Sequence, residues 1–167
     1  KKTACPGFRA GVESGPTSLE AISVRNCSSE CLTYVEGLAV ALEPPSGLPS
    51  PAEQVAASLS LTPSQVGRLG HGPASAVTDA MDPVGFWTGR GAVSYATAGA
   101  FVEWLLERFG PSPLRDAYRT GRLASAYGRE ASSLAREWER HVRRLPVTEE
   151  ARSLAAWRFA QPSLLER

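Results

Sequence analysis

The sequence predicts an all-α protein, or one nearly so. Three observations lead there. Apolar residues recur at three- and four-residue spacing in several segments, the mark of one helix face turned to a core. Helix-start chemistry appears repeatedly, as Ser50-Pro51-Ala52-Glu53, Thr62-Pro63-Ser64-Gln65 and Thr148-Glu149-Glu150. No alternating apolar-polar run of five or more residues marks a strand.

Taken in order, residues 1–27 are rich in Gly and Pro and read as a loop-rich segment, with a short apolar piece at 19–24 that suits helix or strand equally. Ser28 or Ser29 can cap a helix running to about Leu42, where Pro44-Pro45 ends it. Ser50 accepts from the third residue of the next helix while Glu53 reaches back, and Val55, Ala56 and Leu59 form its apolar side. Thr62 and Gln65 repeat the device for a short helix stopping at Gly70. The seven Gly and Pro residues within 70–91 predict a loop holding one helical turn. Residues 93–109 should form the central helix, apolar on more than one stripe, with Gly110 as its stop and Pro111 blocking continuation. A short helix over 114–120 ends at Gly121. Leu134, Trp138 and Val142 recur every four residues in a helix that ends before Pro146, and a last helix carries Ala151, Leu154, Ala155 and Trp157.

Length suits one domain or a piece of a larger one. With 18 basic and 17 acidic residues there is no electrostatic footprint for nucleic acid or an anionic membrane. No apolar run nears the roughly 20 residues of a membrane span. Two lysines at the start lack a following apolar stretch, so the opening is not a signal peptide, and a new apolar segment begins at the very end. The chain reads as an excerpt. Cys5, Cys27 and Cys31 cluster in an otherwise cysteine-free chain, which favours an oxidising, extracytoplasmic or secreted setting. A bridge from Cys5 to either partner, a Cys27–Cys31 bond, and thiolate ligation of zinc with His71 all remain open.

The most informative stretch is Tyr34-Val35-Glu36-Gly37-Leu38-Ala39-Val40. A helix here would put Leu32, Ala39 and Val40 around the Glu36 carboxylate. Burying that charge costs several kcal/mol unless a cation, metal or donors compensate. Gly37 costs about 1 kcal/mol against alanine inside a helix, so something should approach the backbone closely there. Both oddities fit a metal-site helix, and both also fit a partly buried surface helix with an ordinary glutamate.

These residues resemble a family. Glu36-Gly37-Leu38-Ala39 is similar to the Glu-Gly-(Leu/Phe)-Ala element of gluzincin metallopeptidases, zinc peptidases of the peptidase MA type, whose glutamate is the third zinc ligand. The run from Ser94-Tyr95 through Ala98-Gly99-Ala100-Phe101-Val102 to Leu105 and Phe109-Gly110 resembles the family's Tyr-x-x-(Ala/Lys)-Gly-x-Phe-Val-x-x-Leu helix. Ser133-Leu134 and Glu137-Trp138 resemble the small helix that closes that subdomain. The resemblance implies a helical bundle like the family's C-terminal subdomain over residues 28–145, followed at 146–167 by a further helix and the start of a truncated segment. It implies Glu36 as a zinc ligand, Tyr95 as an oxyanion donor, and a peptide or protein as substrate.

The departure is equally plain. The chain has two histidines, His71 and His141, and neither belongs to a His-Glu-x-x-His helix. The family places that helix before the Glu-Gly element, so the remaining zinc ligands are expected from an upstream part of the same protein. Thr33 stands where relatives often have tryptophan. The alternative is a non-catalytic helical interaction or scaffold module, a pseudo-peptidase. His71, between glycines, reads as a surface loop residue, and His141, among arginines, as part of a solvated helix face. Asp82-Pro83 reads as turn initiation, and Phe86 and Trp87 as either cleft lining or loop anchor.

Overall fold

The computed structural model describes residues 31–43, 46–66 and 71–163, less the side chains of Cys31, Leu32, Pro63 and Pro83. Within them the chain is all-helical, with ten helices and no strand. They are α1 Cys31–Ala41, α2 Pro51–Ser58, α3 Pro63–Val66, α4 Pro73–Met81, α5 Pro83–Thr88, α6 Gly91–Phe109, α7 Pro111–Thr120, α8 Leu123–Tyr127, α9 Ala131–Val142 and α10 Glu149–Phe159. The expected bridge among Cys5, Cys27 and Cys31, the apolar piece at 19–24, the serine cap before α1 and the stops at Pro44-Pro45 and Gly70 lie outside the described residues.

Helix α6 is the axis. Eleven of its 19 residues are buried, spread around more than one face, because α1, α2 and α4 all pack on it. The α1–α6 contact is the most extensive, and small residues make it so. A Cβ built on Gly37 would stand 2.5 Å from the Ala98 carbonyl oxygen and 2.8 Å from Val102 Cγ2. On the other side, a Cβ on Gly99 would stand 2.8 Å from Val40 Cβ. Each glycine removes the atoms that would hold the two backbones apart, which accounts for a helix-weakening residue in the middle of each helix.

Elsewhere bulk fills the space. Trp138 of α9 is fully buried and meets Phe101 edge-on, centroids 5.8 Å apart at 81°. Trp104 stacks on Phe101, centroids 6.0 Å apart at 25°, and Phe109 and Tyr127 extend the aromatic chain in near-perpendicular pairs; ring quadrupoles favour both geometries. Helix α10 packs on α2, and Ala151, Ala155 and Phe159 are buried there. Trp157, which the spacing set among the apolar positions of α10, faces out at 66 % exposure.

Helix starts follow the sequence where their caps are local. Ser50 accepts from Glu53 N at 3.2 Å, and Ser50 N donates to Glu53 Oε2 at 2.7 Å, closing the capping box. Thr148 accepts from Ala151 N at 3.1 Å. At α3 only half the box forms: Thr62 N donates to Gln65 Oε1, while the threonine hydroxyl bonds that same oxygen.

Three expectations need correction. The stretch 70–91 is not mainly loop but holds α4 and α5. Pro73 and Pro83 are first-turn residues, where a missing N–H costs nothing, rather than breakers. Asp82 does initiate a turn, and that turn is the N-cap of α5, its carboxylate accepting from Gly85 N at 2.8 Å. The cap of α4 is remote. Gly72, at φ +104°, has no capping side chain, and Glu139 of α9 accepts from Ala74 N at 3.3 Å instead. Likewise Pro111 opens α7 as much as it closes α6, so α7 begins three residues before Leu114, and α8 is an addition that the spacing did not announce.

Candidate functional site

The α1–α6 crossing brings Glu36 and Tyr95 together. Glu36 stands one residue before the glycine contact and is half-buried; Tyr95 lies in the first turns of α6 and is half-buried too. Burial, then the negative charge of Glu36, then hydrogen bonding to it raise the Tyr95 phenol above its ordinary pKa of 10.0. Of the apolar neighbours expected around Glu36, Val40 is half-buried and Ala39 is exposed, so the carboxylate sits at the edge of the core rather than within it.

The Tyr95 ring is fixed from below. Phe86, buried, meets it edge-on with centroids 5.2 Å apart at 82°. Phe86 is held in turn: Ser94 Oγ donates to its carbonyl at 3.1 Å, tying the end of α5 to the first turn of α6. Phe86 is therefore the anchor, while Trp87, half exposed, flanks it at 5.3 Å. Arg90, at the N-cap of α6, donates through Nη1 to the carbonyls of Ser64, Gln65 and Phe159, each at 3.0 Å. It fixes where α6 begins and so where Tyr95 points.

A groove of about 640 Å³ opens beside Tyr95. It runs along α6 from Gly91 to Glu103, walled by the end of α1, residues 46–50, the start of α2 and Arg158 of α10. A smaller hollow of about 210 Å³ adjoins it, lined by Glu53, Glu103, Glu107 and His141. Desolvation and the like charges of Glu107 and Glu53 raise the Glu103 carboxyl above its ordinary 4.5. His141 is thus half-buried in an acidic hollow, not on the fully solvated face expected of it, whereas His71 is exposed.

Sequence reasoning missed Arg90 and Arg158. Arg158 sits in an unremarkable charged helix, and its partner Gln54 is 104 residues away, so no local signal could have singled it out. Among the described residues no three His, Cys, Asp or Glu groups come together to hold a metal ion, and no helix is long and apolar enough to cross a membrane. No family model, curated protein or solved structure matches this chain.

Proposed function

We propose that this chain carries the third zinc ligand and the transition-state donor of a gluzincin-type zinc metallopeptidase, with Glu36 as ligand and Tyr95 as donor. The observation that supports it is their juxtaposition: two residues distant in sequence, each singled out by the family's motifs, meet at one crossing. Glu36 fits one ligand position, being half-buried rather than enclosed. One carboxylate does not hold zinc, so two imidazoles from outside the described residues complete the set, as the family's order of motifs implies. A zinc ion held there would supply Lewis-acid chemistry for peptide hydrolysis, with Glu36 as one of its ligands.

Tyr95 keeps its proton well above neutrality, because burial and Glu36 oppose its ionisation. It therefore remains a hydrogen-bond donor and can aim that proton at a carbonyl oxygen as negative charge develops there. The hydroxyl has one proton to give. While Glu36 accepts it, substrate cannot, so the role requires the carboxylate to be engaged elsewhere first. Phe86 and Arg90 hold the ring ready without touching substrate.

The alternative, a non-catalytic helical interaction module, rests on the two histidines of the chain, neither of which belongs to a His-Glu-x-x-His helix. One experiment separates the two readings: zinc content and peptide hydrolysis of the polypeptide that includes the sequence upstream of Lys1. On the peptidase reading, Glu36→Gln lowers zinc affinity, and Tyr95→Phe lowers kcat by roughly 10²–10³ at constant zinc. Zinc binding indifferent to Glu36→Gln removes the ligand assignment, and an upstream sequence without His-Glu-x-x-His leaves the interaction module.

A further inference from the structure

Arg158 is placed in a way that its own fold does not use up. Arg108, Arg119, Arg129, Arg143 and Arg152 each pair with a carboxylate. Arg158 instead donates through Nη1 to the neutral Gln54 Oε1 at 3.1 Å. Gln54, buried at 2 % exposure, is itself fixed, because its Nε2 donates to the Pro49 carbonyl at 2.7 Å. The amide is thereby oriented with its oxygen toward the arginine, and the half-buried guanidinium is held on the groove wall with donors to spare.

We propose that the groove binds a short extended peptide whose free carboxylate pairs with Arg158. Length suits it. From Gly91 to Glu103 the α6 wall spans about 18 Å at 1.5 Å per residue, and an extended chain covers that in about five residues at 3.3 Å each. The volume lies within the roughly 300–1,000 Å³ of small-ligand sites. Val40, Leu48 and Ala96 give the walls apolar surface, and Glu43 and Glu103 on the same walls oppose a second negative charge. A singly charged carboxylate therefore suits the groove better than a phosphate. That the ligand is a peptide rests on the metallopeptidase reading, since Tyr95 lines the same groove; the carboxylate preference rests on Arg158 alone.

Calorimetric titration of this chain with tetra-alanine tests it, comparing the free acid with its C-terminal amide. The free acid binds at least tenfold tighter than the amide, and Arg158→Gln abolishes that preference while Arg158→Lys keeps part of it. The comparison of ligands on the unsubstituted chain does not depend on any variant folding. A third ligand, Ala-Ala-Ala-Glu amide, tells whether a side-chain carboxylate serves as well as a terminal one; binding restored to the free-acid level supports the site with that source. Equal affinity for acid and amide, no binding of either, or a preference that survives Arg158→Gln overturns the proposal. The assay needs neither zinc nor the upstream helix. Binding intact in a parent protein without hydrolysis would remove the peptidase reading alone, and hydrolysis without carboxylate preference would remove the groove assignment alone.

Discussion

The two contacts that hold α6 in place are built in opposite ways. Against α1 the helix is flush, glycine to backbone, with nothing between Gly37 and the Ala98 carbonyl. Against α9 it is propped by the fully buried Trp138 resting on Phe101. A propped contact tolerates a change of shape if volume is kept, whereas a flush one tolerates no added atom. Only the flush contact sets Glu36 against Tyr95. The tolerance of each interface to substitution should therefore differ in kind, and four experiments bear on it.

The largest effect belongs to the propped side. Trp138→Ala leaves a cavity and should lower stability by about 3–5 kcal/mol in denaturant unfolding. Trp138→Phe should cost far less, because the indole Nε1 has no hydrogen-bond partner among the described residues to be lost; a cost equal to the alanine variant would mean that shape matters there too. Next comes Gly37→Ala. It adds one methyl and gains helix propensity, yet it should destabilise by about 1–3 kcal/mol, since the backbones must part. A neutral or stabilising outcome would show that α1 is not pressed on α6 at all.

The third experiment is electrostatic. Phenol absorbance during alkaline titration should show Tyr95 ionising above 10, and Glu36→Gln should bring it down toward that value. The sign follows from the raised folded-state pKa. The associated stability is fully present below pH 10 and fades as pH climbs through the folded-state value. Tyr127, pushed up to about 12 by burial, serves as an internal reference that Glu36→Gln leaves alone. The smallest effect is at Glu103. Its raised pKa means that ionisation opposes the fold, so Glu103→Gln should add at most about 1 kcal/mol at neutral pH once solvent screening is allowed for. The gain should vanish as pH drops through the carboxylate range, where the wild-type residue is protonated as well.

How much was legible beforehand follows the range of each signal. Ser50 with Glu53 and Thr148 with Ala151 act within one turn, so sequence reveals them. The close approach at Gly37 could be inferred from its cost, though not that Ala98 would be the neighbour. Helices α4 and α5 were hidden because Pro and Gly carry two meanings, stop and first turn, and the decisive cap on α4 comes from Glu139. Glu36 and Tyr95 were legible as candidates through the motifs they resemble, but their meeting depends on the crossing angle of two helices. Arg158 was not legible, because its place on the groove is fixed through Gln54.

Glu139 has a consequence for how the molecule opens. Its carboxylate accepts from Ala74 N in the first turn of α4 while Arg143, at the C-cap of α9, also donates to it. If α9 lifts, α4 loses the acceptor at its leading edge, so neither can fray without the other. Backbone amides in these two helices should exchange with deuterium as a single cooperative block, slower than those of α7, whose N-cap Gly110 offers no side-chain acceptor.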